Sequence, residues 1–271
     1  MNYTGYLEVE VGKRRNKSVI TDSYFDGVFK ITRPTYLANG LPLLTLIHVG
    51  GGYVDGDTYQ TEIVVNEYSS LALTTQASTK VYKSPQYGVT QAMNYYLKNH
   101  SELYIRQDPL IPYKDARFTQ DIHVYMCSSA VFSYTDIITP GWSADGLLFQ
   151  YEKIVSKIKI FVDSELKVFD HLMLQPSEQL EKLLFLEGYS HIGTMYYLDQ
   201  NIDEPFIDTL RNALVPFAKH ARFGVSMLST KGFSVRILAN STDIIESIFS
   251  SCEEWIQKEL FQQVKIAWRK C

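Results

Sequence analysis

Carboxylate and hydroxyl side chains are concentrated between residues 55 and 80, and no other stretch of the sequence offers as many donors for polar chemistry. The acidic members are Asp55, Asp57 and Glu62. The others lie in a segment rich in Thr and Ser, and they are Thr75, Ser78, Thr79 and Lys80. Isolated oxygen donors hold a divalent ion weakly enough to release it. We therefore predict a transient cation path with the three acids as metal contacts.

Three consecutive glycines, Gly50, Gly51 and Gly52, precede the acidic residues. Without side chains, they let another backbone or a ligand approach closely. We predict that they form one wall of a polar passage or partner-binding surface together with Thr75, Ser78, Thr79 and Lys80. The alternative interpretation is structural: Asp55-Gly56 is only a turn, and the Thr and Ser residues only reflect strand propensity.

Among the acids, the sequence favours Asp57 over Asp55 as a functional residue. Asp57 follows the Asp55-Gly56 turn at the start of a predicted strand, beside the three glycines. A carboxylate at such a position is costly to bury without a partner or water, which favours a wet cavity or a protein contact. We therefore expect Asp57→Ala to impair function while leaving folding largely intact.

Several common active-site motifs are absent from the sequence. There is no GxxxxGK(S/T) phosphate loop, no calcium-loop spacing, no GxSxG elbow and no HExxH or clustered Cys/His pattern. The six histidines are scattered singly. His48 falls in an apolar strand, where a core or cavity-facing histidine is a more common outcome than a metal ligand. These observations argue against a nucleotide hydrolase and against a resident metal site.

The surrounding pattern is that of a β protein. The apolar run Leu43 to Val49 suits a strand buried on both faces, and Asp55-Gly56 predicts a hairpin turn that leads into a return strand at 60–66. A third strand is predicted from Ser70 to Tyr82. If it is unbroken, Thr75 lies on one face and Ser78 and Lys80 lie on the other. Turn signals recur every 8–14 residues, as in sandwiches, barrels and solenoids.

Helical spacing occurs only near the C-terminus. Asp203 is a suitable N-cap for a first helix with Pro205 in its first turn, and Ser241 or Thr242 caps a second helix that runs to Leu260. The apolar stripe of the second helix requires a partner surface within the protein. With no linker or abrupt change of composition, the simplest interpretation is one mainly β domain over residues 1–271, with two helices near the C-terminus.

Composition narrows the function classes further. The chain has 271 residues, 45% hydrophobic and 21% charged, and a net charge of −4 without a basic block, which argues against a nucleic-acid partner. No apolar run approaches the roughly 18 residues of a membrane span, and no signal peptide is evident. Three widely spaced cysteines suit a reducing cytoplasm. We therefore expect a cytoplasmic protein without a membrane association.

Three segments of the sequence resemble the UreD family of urease accessory proteins, also called UreH. They are GGGYVDGD followed by TTQASTKVYKS, then ELYIRQDPLIPYKDARFTQ, and finally GVSMLSTKGFSVRILANSTDII. Their order and spacing match the family across essentially the whole chain. The resemblance implies a right-handed β-helix-like body with two helices. Gly56-Asp57 matches the Gly-Asp pair that ends the family's glycine-rich motif.

The resemblance also implies a function. Members of the family are non-catalytic maturation factors that bind apo-urease and UreF, and UreF recruits the GTPase UreG. Ni(II) is then delivered to the urease active site, and a polar internal passage has been proposed as its route. The chain would thus hold no tightly bound cofactor and would carry Ni(II) only in transit.

One departure and two alternatives accompany the resemblance. Many members carry Gly-Arg followed by Gly-Glu in mid-chain, whereas this sequence has Gly141-Trp142 followed by Asp145-Gly146. A role for that Arg or Glu is therefore not carried over. The alternatives are a β-helical enzyme acting on carbohydrate, since such folds often carry paired acids, and a partner-binding module with no metal role.

Overall fold

The computed structural model describes residues 3–176, 186–261 and 266–268. Strands make up 52% of the chain, which confirms the prediction of a mainly β protein. The strands are β1 (Gly5–Arg14), β2 (Lys17–Gly27), β3 (Phe29–Ile31), β4 (Thr35–Tyr36), β5 (Pro42–His48), β6 (Thr58–Val65), β7 (Ser70–Thr75), β8 (Thr79–Val81), β9 (Val89–Leu97), β10 (Glu102–Arg106), β11 (Leu110–Pro112), β12 (Arg117–Met126), β13 (Val131–Ile138), β14 (Lys153–Val162), β15 (Glu165–Leu174), β16 (His191–Leu198), β17 (Ala221–Met227) and β18 (Gly232–Ala239).

Two large sheets face each other. One sheet has seven strands in the order β15-β14-β12-β9-β6-β1-β2, and the other runs β17-β18-β16-β13-β10-β7-β5-β3. Successive strands β6, β9, β12 and β14 pair in parallel in the first sheet, as do β5, β7, β10 and β13 in the second. The chain thus alternates between the sheets and forms a β-solenoid of about four turns. The β-helix-like prediction is confirmed.

The main core lies between the two sheets. In β1, Leu7, Val9 and Val11 are fully buried while Glu8 is exposed, as expected when alternate side chains of a strand face a core. The same alternation in β9 and β12 contributes inward side chains to one continuous apolar cluster. The alternating pattern in the sequence therefore determines which face of each strand turns inward.

Two details of the predicted strands are wrong. β6 pairs with β1 and β9 and not with β5, so the Asp55-Gly56 turn is not a hairpin. The turn instead carries the chain across a corner of the solenoid from one sheet to the other. The predicted strand from Ser70 to Tyr82 is also broken. It divides into β7 and β8, and the chain bends at residues 76–78 where the Gln76 amide donates to the carbonyl of Leu46 at 2.9 Å.

Two helices cover part of the outer face of the larger sheet, as predicted. They are α1 (Glu204–Leu214), followed by a 3-10 turn (Val215–Lys219), and α2 (Thr242–Ile256), followed by a π turn (Gln257–Phe261). Asp203 caps α1 and Ser241 caps α2. Buried residues of both helices pack with β16 and β18 in a second apolar cluster, so α2 belongs to the folded body. Within the described residues, no helix combines the length and apolar content needed to cross a bilayer.

Candidate functional site

A pocket of about 190 Å³ opens at the solenoid corner that carries the three glycines. All seven residues predicted as a polar wall lie on it: Gly50, Gly51, Gly52, Thr75, Ser78, Thr79 and Lys80. Phe29, His48 and Tyr53 line it as well. At about 30 Å³ per water molecule, the pocket has room for about six waters, which is enough for a partly hydrated ion.

The glycine wall depends on a close approach between backbones. Gly52 has φ +147°, and a Cβ atom there would lie 2.7 Å from the carbonyl oxygen of Lys80. The next amide, of Tyr53, donates to that same carbonyl at 2.8 Å. The Tyr82 hydroxyl donates to the carbonyl of Gly51 at 2.8 Å. Only glycine at position 52 permits this contact, so Gly52 fixes the pocket wall against β8.

The bend between β7 and β8 brings the hydroxyl residues together. An unbroken strand would have placed Thr75 on the face opposite Ser78, but the bend turns both toward the pocket. The Thr75 hydroxyl donates to Asp108 Oδ2 at 3.1 Å and accepts from the Asp108 amide at 2.8 Å. Asp108 is 7% exposed. Thr75 is thereby held in position by a buried acid behind it.

The Asp55 carboxylate accepts hydrogen bonds from a loop next to the turn. Its Oδ1 accepts from the amides of Tyr87 and Gly88 at 2.9 and 2.8 Å, and its Oδ2 accepts from the Gln86 amide at 3.1 Å. Desolvation would raise the pKa of Asp55, but the three amide donors outweigh it and lower the pKa below its usual value. Its role in the structure is to tie the loop at residues 86–88 to the turn, and it does not line the pocket.

Asp57 is also bonded within the protein and does not line the pocket. Its Oδ2 accepts from the Val54 amide and from the Tyr59 hydroxyl, each at 2.7 Å, and its Oδ1 accepts from the Thr4 hydroxyl at 3.1 Å. The carboxylate thus joins the turn to the first residues of β6 and to the start of the chain. These contacts assign Asp57 a structural task that the sequence alone did not indicate.

Glu62 lies on the opposite side of the seven-stranded sheet. Its register partners are Glu8 on β1 and Asn94 on β9, and it accepts from the Gln60 side chain at 3.2 Å. Tyr59 and Ile63 on the same strand face the core, so Glu62 faces outward. The structure therefore brings the predicted wall together but places the three predicted metal contacts away from the pocket.

His48 is the imidazole that borders the pocket. It ends β5, is partly exposed, and has its Nε2 atom 3.4 Å from the hydroxyl of Tyr59. Desolvation lowers the pKa of His48, with the Gly50 carbonyl acting in the opposite direction, so the ring is neutral near pH 7. Burial likewise raises the pKa of Tyr59, and its bond to Asp57 adds to this effect. His48 is cavity-facing, one of the two settings that its apolar strand predicted.

A row of polar side chains continues from this corner through the core. On the inner face of the seven-stranded sheet, Tyr59, Gln91, Gln120 and Ser156 are successive register partners on β6, β9, β12 and β14. Gln91 and Gln120 are 8% and 5% exposed. Neighbouring strands lie about 4.8 Å apart, so the row covers roughly 14 Å along the solenoid.

The row ends near two acids, Asp136 and the partly exposed Asp170. Gln120 Nε2 lies 3.2 Å from Asp136 Oδ2 and 3.1 Å from Ser156 Oγ. Burial raises the pKa of Asp136, and the Gln120 amide opposes the rise. Further along, Asp170 on β15 accepts from Tyr196 at 2.7 Å and pairs with Arg236, which bridges the two sheets. Polar groups therefore extend from the pocket toward the last turn, where the final ion pair is partly exposed.

The geometry can be compared with proteins of known family. The sequence profile of the family described as UreD urease accessory protein matches residues 3–269. The chain belongs to the UreD family. Similar proteins carry the name urease accessory protein UreD. The one from Bacillus sp. (strain TB-90) is 45% identical over 270 residues, which cover 100% of both chains.

Two further UreD proteins give the same result at lower identity. The protein from Lachnoclostridium phytofermentans is 38% identical over 264 residues, covering 97% of this chain and 96% of its own. The protein from Staphylococcus aureus (strain bovine RF122 / ET3-1) is 33% identical over 265 residues, covering 96% and 95%. In all three cases the likeness therefore extends over at least 95% of both chains.

The mid-chain departure in this UreD chain lies on the surface. Gly141 has φ +88°, and a Cβ atom there would lie 2.2 Å from the carbonyl oxygen of Pro112, which explains the glycine. Trp142 is 52% exposed and packs on Tyr113 with ring centroids 4.8 Å apart. Asp145 accepts from the Ser143 hydroxyl at 2.6 Å and from the Leu147 amide at 3.2 Å. This segment thus closes a surface loop and does not border the pocket.

The sequence contains a signal for the interior row, although no local motif marks it. In β9 the inward positions are Val89, Gln91, Met93 and Tyr95, and in β12 they include Phe118, Gln120 and Ile122. In each strand a glutamine occupies an inward position of an otherwise largely apolar series, and this break in the alternation is the signal. Its alignment with the next strand, however, depends on the register between distant segments.

Proposed function

We propose that this UreD-family chain is a non-catalytic, cytoplasmic maturation factor that passes Ni(II) toward the urease active site through its polar interior. Its family membership makes it a urease accessory protein. The proposal adds the cargo, the route and the absence of turnover. The route begins at the glycine-walled pocket and follows the interior polar row.

The interior row carries the proposal. Tyr59, Gln91, Gln120 and Ser156 offer hydroxyl and amide oxygens at successive strands, without a thiolate and without a cluster of three His, Cys, Asp or Glu side chains among the described residues. Such neutral oxygen donors replace water around a divalent ion without trapping it. A path of weak sites is what transit requires, because each site must release the ion to the next.

The partners follow from the same proposal. We propose that the chain binds apo-urease structural subunits and UreF, and that UreF brings the GTPase UreG, so that nucleotide hydrolysis takes place in a partner. The sequence supports this division of labour because it contains no phosphate loop. The purified chain should hydrolyse neither GTP nor urea, and reproducible turnover without partners would contradict the proposal.

The first experiment is deletion of the gene followed by elemental analysis of purified urease at limiting nickel. The expected result is urease that is synthesised normally but contains little nickel. Complementation with the wild-type chain should restore the nickel content. Fully loaded urease in the deletion strain would rule out a role in nickel delivery.

The second experiment tests the route. Gln91→Leu keeps the side-chain size but removes an amide from the row, and Gln91 bonds only weakly, to the Met93 sulfur at 3.7 Å. We expect the variant to fold and bind UreF but to deliver less nickel to urease. Asn94→Leu, on the outer face of the same strand, is the matched control and should behave as wild type. Equal nickel content for both variants would exclude the interior route.

A further inference from the structure

The outer face of the seven-stranded sheet carries exposed aromatic side chains. Both described helices pack on the other sheet, so neither covers this face. Tyr125 on β12 is 41% exposed and Phe169 on β15 is 59% exposed, whereas their inward neighbours Val124 and Val168 are buried. Single exposed apolar residues are common on protein surfaces, but a contiguous group marks a surface that contacts another molecule.

Tyr125 belongs to a contiguous row of side chains that includes stacked rings. Tyr96, Tyr125 and Phe161 are register partners on β9, β12 and β14. The ring centroids of Tyr96 and Tyr125 are 5.3 Å apart with 9° between the planes, and those of Tyr125 and Phe161 are 5.0 Å apart with 10° between the planes. Val64 on β6 and Leu166 on β15 extend the row. The result is an apolar strip across five adjacent strands, similar in composition to the core of a protein interface.

The charged side chains on the same face are separated by sign. Three rows of outward register partners cross all seven strands, and β9 is the central strand. On one side of β9, every charged member of these rows is an acid, and the acids are Glu62, Glu8, Glu10, Asp22 and Asp26. On the other side the single acid is Asp121, and the basic residues are His123, Lys157, Lys159 and His171. The face thus has an acidic half and a basic half.

The separated charges are not neutralised within the described part of the chain. None of the five acids of the acidic half belongs to an ion pair with a described residue, and the same is true of Lys157 and Lys159. Lys159 instead has its Nζ atom 3.5 Å from Nε2 of His123. Both halves are therefore available to a surface of complementary charge.

A second copy of the same chain would present such a surface. A two-fold axis that runs along β9, in the plane between two facing sheets, places each acidic half over the basic half of the other copy. Lys159 then faces Glu8 of the second copy and His123 faces Glu62, because all four residues belong to one row. A two-fold axis at right angles to the strands would place each half over itself, with lysine facing lysine. The charge pattern therefore favours the axis along β9.

We propose that this face is a dimer interface, at which a second copy of the chain packs sheet against sheet about the axis along β9. Tyr96 contacts its counterpart at the axis, and Tyr125 covers Val64 of the second copy. Sheets that pack face to face keep their strands aligned to within about 30°, so the rows of the two copies remain in contact.

The size of the face is sufficient for a stable dimer. With strands about 4.8 Å apart and about 3.3 Å per residue, the face is roughly 29 Å wide and roughly 30 Å long. Its area of roughly 900 Å² per copy is close to the ~800 Å² per partner of a standard protein interface. The dimer is a property of the chain itself and requires neither Ni(II) nor the partners of the proposed function.

Charge reversal followed by mixing is the sharpest test of this dimer. One variant carries Lys157→Glu and Lys159→Glu, and the other carries Glu8→Lys and Glu62→Lys. In a dimer of either variant, like charges face each other on both sides of the axis. In a mixed dimer, the two reversed halves face each other with opposite signs, and the two unaltered halves also match.

Sedimentation velocity of the full-length chain, purified without UreF, measures the association. We expect the wild type to show a concentration-dependent equilibrium between monomer and dimer that weakens between about 0.05 M and about 0.5 M NaCl, because salt screens the charge pairs. Each charge-reversal variant alone should associate at least about tenfold more weakly, and an equimolar mixture should recover association to within about threefold of the wild type. Recovery also shows that both variants are folded.

Tyr125→Ser tests the apolar strip separately. Aromatic side chains near the centre of an interface contribute a large share of the binding energy, so we expect at least about tenfold weaker association. Tyr36→Ser is the matched control, because Tyr36 is 47% exposed on β4, which pairs with β5 in the other sheet. The control variant should associate as the wild type does.

Three results would overturn the proposed dimer. The first is a wild-type chain that stays monomeric at every concentration up to its solubility limit. The second is a mixture of the two charge-reversal variants that associates no better than either variant alone. The third is normal dimerisation of these variants with weaker binding to UreF or to urease, which would assign the face to a different protein. Nickel content of urease in the deletion strain tests the proposed function and does not depend on any of these results.

Discussion

The glycine turn and the middle of the solenoid both contain aspartates, but they stabilise the carboxylate in different ways. At the turn, Asp55 accepts three backbone amides, which lower its pKa. In the interior, Asp136 has the Gln120 amide nearby and a raised pKa, because burial dominates. Both carboxylates have hydrogen-bond donors, so the extent of burial, more than the supply of donors, separates the two pKa values.

The same comparison explains why the acidic turn is an imperfect guide to the site. Short-range acid and glycine spacing marks a place where the chain must reverse, and reversing chains present free amides. Those amides donate hydrogen bonds to the carboxylates of the turn. The pocket beside the turn is lined by glycines, hydroxyl residues, His48 and the ammonium group of Lys80, and neither Asp55 nor Asp57 lines it.

The largest loss of stability is expected for Asp57→Ala, a substitution at the glycine turn. The change removes the acceptor of the Val54 amide, the Tyr59 hydroxyl and the Thr4 hydroxyl. With charged hydrogen bonds at about 1.5–3 kcal/mol each and incomplete additivity, we expect a loss of about 3 kcal/mol in unfolding free energy. Urea denaturation measures it.

The control for this prediction is Glu62→Ala on the outer face of the sheet, for which we expect a change below about 0.5 kcal/mol. This expectation for Asp57→Ala replaces the one drawn from sequence, in which folding was left intact. A stable, fully folded Asp57→Ala protein would show that the three contacts contribute little, and it would restore a purely functional reading of Asp57.

An intermediate loss of stability is expected for Gln120→Leu, a substitution in the interior of the solenoid. The substitution leaves Asp136 without its amide donor, so a largely buried carboxylate loses a partner. We expect a loss of about 1–2 kcal/mol at neutral pH. The loss should shrink in acid, where Asp136 is protonated. Chemical denaturation at pH 7 and at pH 3, which lies below the unshifted value of 3.8, tests this, with Thr119→Leu on the exposed face as the control. An equal loss at both pH values would show that the Asp136 charge is not involved.

The smallest effects are expected in the pH dependence of Asp55→Asn and Asp136→Asn, and they have opposite signs. The pKa of Asp55 is lowered from 3.8 on folding, so its stabilisation is present above that value and is lost as the pH falls through the folded pKa. The pKa of Asp136 is raised from 3.8, so its contribution to stability decreases as the pH rises through the folded pKa.

Asp55→Asn should therefore flatten the acid limb of the stability profile below pH 4, and Asp136→Asn should flatten the limb above pH 4. Melting temperatures measured from pH 2.5 to pH 7.5 would separate the two. Parallel changes in the two variants would refute the view that the two regions treat a carboxylate differently.

Much of the architecture was decided locally by the sequence. Alternating apolar residues determined the strands and their inward faces, because a side chain that alternates across a strand can bury only one series. Asp203 and Ser241 determined where the helices begin, since their side chains bond the free amides of the first turn. The glycine triplet and the Thr and Ser segment marked the pocket wall, because missing side chains and short hydroxyls are local properties.

The tertiary structure decided what these residues face. The bend at residues 76–78 brought Thr75 and Ser78 to one pocket, and the corner at Asp55-Gly56 sent β6 to a different sheet from β5. The interior row of Tyr59, Gln91, Gln120 and Ser156 exists only because parallel strands from distant segments share a register. Contacts between residues about 30 positions apart set the strand register. The same contacts determine which amides donate to a carboxylate, and no local sequence pattern encodes them.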